Sequence, residues 1–297
     1  LVVLTGDVIL SKYQQIDAIQ FAKMMEEIGV YWAMVFGNHD SEGAANKEEQ
    51  MAIYESFDCF VGCAGEDLTG CGNYNLPIYD ANGEELLYNL WMIDSLTYNR
   101  QPEDEKDVAY YENDLEGYAC VHKDQINWYV ETSNELKAAN GGEPVPSMVF
   151  QHIIVPEVYD ALGMPKIPFG LAEWTFEGQS YLPIPNFGAY TGYLFEPPCP
   201  SHYNGGQFDA WVETGDVMAT FYGHDHINDF TTSWKGIDIT TVPTVGCNSY
   251  SNDINRGVGL ITLDESDLST YEYEALRMYD FALAEGSQIL DCEGALS

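Results

Sequence analysis

Residues 31–40 read YWAMVFGNHD. An apolar run ends on a glycine, and three polar residues of metal-ligand type follow at once. A run this continuously apolar reads as a strand buried on both faces. The arrangement recurs three times. LVVLTG runs into Asp7, SMVFQ into His152, and VMATFYG into His224-Asp225-His226. The logic repeats and the sequences do not, so no internal repeat is involved.

Helices are expected between these runs. Gln14 to Ile28 places Ile16, Ile19, Phe21, Ala22, Met25 and Ile28 near helical period and stops at Gly29. With the strands on either side it forms a βαβ unit. Gln125 to Ala139 and Phe208 to Glu213 are further helices. Tyr74 to Ile78 and Leu86 to Ile93 flank Asp80-Ala81-Asn82-Gly83 and predict a hairpin. Ile237 to Val242, Gly257 to Leu263 and Thr270 to Ala275 are strand candidates. Residues 165–200, rich in Pro, Gly and aromatics, read as a long ordered excursion beside the site. No linker divides the chain, so residues 1–297 are expected to form one α/β domain.

The bulk numbers exclude some functions. Among 297 residues, 48 Asp and Glu stand against 11 Lys and Arg, a formal charge of -37. Such a surface repels phosphate backbones, so no nucleic-acid partner is expected. No apolar stretch reaches 18 residues, so no membrane span is expected. Solubility, a salty habitat or an acidic secreted protein is the plain reading of the charge; with the habits of the family resembled below, an extracellular location is weakly favoured over a cytoplasmic one. Cys59, Cys63 and Cys71 surround a Gly-rich turn without zinc-type spacing. Either a local disulfide or simple burial accounts for them.

Taken singly, the polar strand ends have ordinary explanations. Asp7 suits a turn or a helix cap, Asn38-His39-Asp40 a turn, and His152 a hydrogen-bonded core histidine. His224 and His226, two apart on an extended backbone, point the same way, which suits a metal better than packing. Four of the six histidines lie at such strand ends. Sites of open α/β sheets lie beyond the carboxyl ends of strands, so these residues can converge. His122, next to Lys123 and Asp124, is expected near solvent. The role of His202 is open.

GD, GNHD, a lone His and GHDH, in that order, resemble the calcineurin-like metallophosphoesterase superfamily. GHDHINDF, Asn204-Gly205-Gly206 and QHIIVPEVY most resemble its Dcr2 and purple acid phosphatase 29-like branch, over roughly residues 1–264. The resemblance implies a β-sandwich flanked by helices in four layers, α/β/β/α. It implies two metal ions (Mn, Fe or Zn) and hydrolysis of a small phosphoester, most simply a phosphomonoester. Asp7 would bridge the metals. Asn38, His152 and His224 would complete the second site, and His226 would bind the first. His39 would stabilise the transition state or protonate the leaving oxygen, and Asp40 would orient His39. The chemistry agrees. Cations about 3.5–4 Å apart can clamp a phosphoryl transition state and acidify water. A histidine outside the coordination shell keeps a proton to give.

Two departures stand out. The family's Asp-x-His on the preceding strand has no counterpart in the six residues before Asp7. A chain truncated at its N-terminus, lacking that strand, is the simplest expectation. The alternatives are a metal-binding fragment or a pseudoenzyme with an incomplete first site. Purple acid phosphatases proper carry a tyrosine ligand three residues after the bridging aspartate, where this chain has Leu10, so no iron-tyrosinate colour is expected. A phosphodiesterase of the same fold is a further reading. Lys12, Arg100 and Arg256 are candidate phosphate cations, each more simply a surface residue. Residues 94–114 and 165–200 would carry specificity.

Overall fold

The structure, a computed structural model, describes residues 1–98, 117–168, 175–176, 179–201 and 203–280. Arg100, His202 and most of the 94–114 segment lie outside them. The described chain opens with β1 (Val2–Thr5), α1 (Gln14–Ile28), β2 (Trp32–Val35) and α2 (Lys47–Tyr54). Then come β3 (Tyr74–Tyr79), β4 (Leu86–Met92), α3 (Lys123–Ala139), β5 (Ser147–Gln151) and α4 (Val158–Ala161). The excursion holds β6 (Lys166–Ile167), β7 (Thr175–Phe176), β8 (Gln179–Tyr181) and β9 (Tyr190–Leu194). The remainder is α5 (Gln207–Thr214), β10 (Val217–Tyr222), β11 (Asn228–Trp234), β12 (Ile237–Thr241), β13 (Gly257–Leu263) and β14 (Tyr271–Arg277).

β1 and β2 pair in parallel across α1, as the βαβ reading requires. A mixed seven-stranded sheet runs β3-β4-β5-β10-β12-β11-β9. Its centre, β4, β5, β10 and β12, is parallel. His152 and His224 therefore leave the sheet at the same end. β3 and β4 form the expected hairpin, closed by Gly83 N–H to the Asp80 carbonyl at 2.9 Å.

Side-chain alternation sorts the apolar residues into three interfaces. Trp32, Met34 and Phe36 face Ala18, Ala22 and Met25 of α1 and Met51 and Tyr54 of α2. Ala33 and Val35, on the other side of β2, meet Met92, Met148, Phe150 and Phe221 from the large sheet. Ile261, Leu263, Tyr271 and Tyr273 of the β13–β14 hairpin pack against that same cluster. On the far face, Trp91, Val149, Tyr222 and Ile239 meet Ile126 and Tyr129 of α3, Val158 of α4, and Phe208 and Trp211 of α5. Helices, two β-layers and helices again give the expected α/β/β/α order.

Buried polar bonds fasten these layers. Lys47 Nζ donates to Asp94 Oδ1 at 2.8 Å, tying α2 to the end of β4. Arg277 Nε meets Asp229 Oδ2 at 2.6 Å, and the Tyr271 hydroxyl donates to Asp238 Oδ2 at 2.7 Å, holding the hairpin to the large sheet. Cys59, Cys63 and Cys71 are free thiols, so the local disulfide does not form. His122 is buried rather than near solvent. It sits at the N-cap of α3, where its own N–H donates to Gln125 Oε1 at 2.8 Å.

Asp40 corrects another expectation. Its carboxylate does not hold the His39 ring. Oδ2 accepts the N–H groups of Asp7 (2.8 Å) and Gly37 (2.7 Å), and Oδ1 those of Val8 (2.9 Å) and Ile9 (3.2 Å). A buried anion needs donors, and the loops after β1 and β2 supply four backbone ones. Burial first, and then the Asp7 charge, raise the Asp40 pKa, while the backbone donors pull it down. Removing the carboxylate orphans up to four N–H groups at once. Asp40→Ala is expected to lower the unfolding free energy by about 3 kcal/mol, read by urea denaturation. A loss below about 1 kcal/mol, the size of an ordinary single hydrogen bond, would mean that the clamp is not structural.

Candidate metal centre

The turn after β1 is forced into unusual backbone. Gly6 has φ 90, and Asp7, a residue with a Cβ, has φ 54. His224, after β10, has φ 70. Left-handed backbone at such residues costs about 1–3 kcal/mol and persists where surroundings over-determine it. Close approach explains the glycines before the ligands. A Cβ on Gly6 would lie 2.6 Å from His152 Nδ1 and 2.7 Å from the Gly37 nitrogen, and one on Gly37 would land on Asp7 Oδ1. The motifs thus begin with glycine because the loops cross at van der Waals limits.

Four side chains meet at one point. His152 Nε2 lies 3.0 Å from Asp7 Oδ2, 3.1 Å from Asn38 Oδ1 and 3.3 Å from His224 Nδ1. Asp7, His152 and His224 each offer a ligand atom, all within 4.8 Å of one another. His152 Nδ1 lies 2.7 Å from the Thr5 carbonyl, an acceptor only, so Nδ1 carries hydrogen and Nε2 is the atom turned to the cluster. Such an outer acceptor orients a metal-ligating histidine and fixes its tautomer. Asn38 is fully buried and donates Nδ2 to the Tyr98 hydroxyl at 3.0 Å, which turns its Oδ1 inward.

The electrostatics fit a cation. Burial opposes the charge of Asp7, yet His152 and the His39 N–H hold its carboxyl far below the usual range. Burial pushes His152 down, but the Asp7 charge and hydrogen bond, the Thr5 carbonyl and the Asp40 charge together outweigh it, and its pKa rises. Burial first, and then His152, push His224 down to about 3, leaving a neutral imidazole with a lone pair. Oxygen and imidazole ligands of this kind suit Mn, Fe or Zn. The residues present therefore fit a metal ion. Asp7, Asn38, His152 and His224 would hold it.

The other predicted residues lie around this point. His39 gives its backbone N–H to Asp7 Oδ1 at 2.8 Å, while its ring turns outward and is 39% exposed. Its Nδ1 meets Glu42 Oε2 at 2.8 Å. His226 is not in the close group of ligands. Its Nδ1 faces the Tyr250 carbonyl at 3.0 Å, its ring stacks on Tyr250 at 4.2 Å, and only Nε2 is left to bind. Arg256 is buried rather than on the surface. Its guanidinium donates to the Gly246 carbonyl and the Ser251 hydroxyl, bracing the loop that carries Tyr250.

Aromatic and acidic residues that the sequence reading did not single out complete the site. Tyr118 presents an edge contact to His224, ring centroids 4.5 Å apart, and stacks on Tyr98 at 5.4 Å. The Tyr250 hydroxyl donates to Glu196 Oε2 at 2.9 Å. Asp225, the third residue of GHDH, is buried behind the histidines. Burial raises its pKa to about 7, and it accepts Asn228 Nδ2 at 3.0 Å.

No family model matches the chain. Two relatives from Arabidopsis thaliana are similar to it. Probable inactive purple acid phosphatase 14 is 28% identical over 273 residues, covering 84% of this chain and 59% of the relative. Probable inactive purple acid phosphatase 29 is 27% identical over 264 residues, covering 84% of this chain and 60% of the relative. The chain thus spans about three-fifths of the length of the curated relatives it matches. Among solved structures, a dimetal phosphatase from Danio rerio aligns over 81% of this chain and 71% of its own, at 14% identity and a TM-score of 0.44. The ordered motifs, the residues they bring together and the plant relatives agree: the chain is similar to purple acid phosphatase-like proteins, consistent with the calcineurin-like metallophosphoesterase superfamily.

Proposed function

We propose that the protein is a metal-dependent phosphoesterase acting on small phosphomonoesters. The observation that carries this reading is the meeting of Asp7, Asn38, His152 and His224 beside an outward-facing His39. Bound metal ions would supply the charge that clamps phosphoryl oxygens and acidifies water. The chain's own groups do the rest. Asp7 Oδ2, Asn38 Oδ1, His152 Nε2 and His224 Nδ1 present a mixed oxygen and imidazole pocket for one ion. Asp7 Oδ1, together with His226 Nε2, is what these loops offer towards a second. His39, unlike His152, is open to solvent, so it can exchange the proton it passes to a leaving oxygen. The rings of Tyr98 and Tyr118 flank the cluster, and Tyr250 stacks on His226. The acidic surface favours small substrates over polyanions.

A second reading, metal binding without turnover, takes its support from the plant relatives, whose names call them probable inactive phosphatases. Hydrolysis of an aryl phosphate by the full-length protein, with and without Mn or Zn, separates the two. Metal-dependent turnover is expected. Stoichiometric metal without turnover would support the second reading and overturn the first.

Two further outcomes follow from the geometry. His39→Ala should lower turnover by roughly 100-fold or more with metal content unchanged, whereas Asp7→Ala and His224→Ala should lower both. Loss of metal in His39→Ala, read by elemental analysis, would contradict this division of roles. Mn or Zn at 100 times its dissociation constant should stabilise the fold by about 2.7 kcal/mol, seen as a rise in Tm. His152→Ala should abolish that rise, and an unchanged response would place the ion elsewhere.

A further inference from the structure

His39 needs a partner, and Asp40 is not free to be one, since both its oxygens are taken by backbone N–H groups. The carboxylate that does reach the ring is Glu42, three residues on and outside the GNHD motif, with Oε2 2.8 Å from Nδ1. Glu42 also interacts with the Tyr98 hydroxyl, the group that receives Asn38 Nδ2. On its other side Glu42 lines an open cleft of about 400 Å³ with Ser11, Lys12 and Ala44. The cleft is built by the same two loops that carry Asp7 and His39. Glu42 therefore links the His39 ring to Tyr98 and, through it, to Asn38.

We propose that Glu42 is the positioning residue of His39. An ionised carboxylate only accepts, so it selects the tautomer with hydrogen on Nδ1 and stops the ring from turning. Nδ1 keeps its hydrogen against Glu42 throughout, so the proton given to the leaving oxygen is the second one, carried on Nε2 of the doubly protonated ring, and its departure leaves Nε2 with a lone pair. With the side chains 39% and 36% exposed, the pair adds little to stability, as surface pairs generally do. Replacing Glu42 should therefore leave the fold and the metal cluster in place. The positioning role stands on geometry alone. Only its kinetic consequence rests on the phosphoesterase reading.

The test uses the full-length protein, labelled with 15N-histidine and loaded with Zn, as wild type, Glu42→Gln and Glu42→Ala. Two-bond proton–nitrogen correlations report which His39 nitrogen bears hydrogen. Wild type should show Nδ1–H. Glu42→Gln, which keeps an acceptor oxygen, should retain it, and Glu42→Ala should lose it. A His39 spectrum in Glu42→Ala identical to wild type would overturn the proposal. In turnover, Glu42→Ala should lower kcat on an alkyl phosphate by about 10- to 100-fold, the usual cost of removing a histidine's outer partner, with KM little changed. The loss should be smaller on an aryl phosphate, whose leaving group needs no proton, and Glu42→Gln should restore part of it. Equal losses on both substrates would overturn the assignment. Absence of turnover in every variant, wild type included, would count against the phosphoesterase reading alone. The spectra would still decide the role of Glu42.

Discussion

The buried carboxylate of Asp40 is the constraint on which the site depends. β1 and β2 deliver their loops side by side, but a loop leaving a buried strand carries backbone N–H groups that water cannot reach. Asp40 collects four of them from both loops. That contact sets Asp7 in its left-handed backbone and brings its carboxylate within 3.0 Å of His152. The geometry of the cluster is thus decided outside it. A residue expected to orient a catalytic ring instead orients the backbone that presents a ligand. The two roles differ in consequence, because one touches rate and the other touches folding and metal together.

The second constraint is electrostatic. Asp7, His152 and His224 are brought together in a largely buried place, with Asn38 closing the group. The Asp7 charge raises the pKa of His152, while burial and His152 drive His224 neutral. A cation would satisfy all four facing atoms at once. Polar groups are tolerated at this depth because each is already aimed. Thr5 holds His152, Tyr98 holds Asn38, and Tyr118 flanks His224.

Much of this arrangement was legible in the sequence. The continuous apolar runs are strands buried on both faces in β2 and β5 and nearly so in β10, whereas β1 is only partly buried, and parallel strands end together. Asp7, Asn38, His152 and His224 could therefore be gathered from runs far apart in sequence. Elements whose inner faces carry polar groups were harder to see. β11 (NDFTTSW) is largely buried but rich in threonine and asparagine, and β9 (YTGYL) is an exposed edge with an internal glycine. α2 did leave a readable sign, the Asn46–Glu49 capping box, in which Glu49 N–H donates to Asn46 Oδ1 at 2.8 Å. Asp40, Glu42 and the tyrosine wall were not legible in their roles. Those roles depend on which way side chains turn in loops, and on donors from segments distant in sequence. A short polar motif carries residue types but not their partners.

The central claim is that one ion sits among four named atoms. Anomalous diffraction from crystals of the full-length protein grown with Mn or Zn tests it directly. The account predicts a peak at the metal's absorption edge bounded by Asp7 Oδ2, Asn38 Oδ1, His152 Nε2 and His224 Nδ1. A fully loaded protein with no peak there, or with its metal held by other residues, would contradict it.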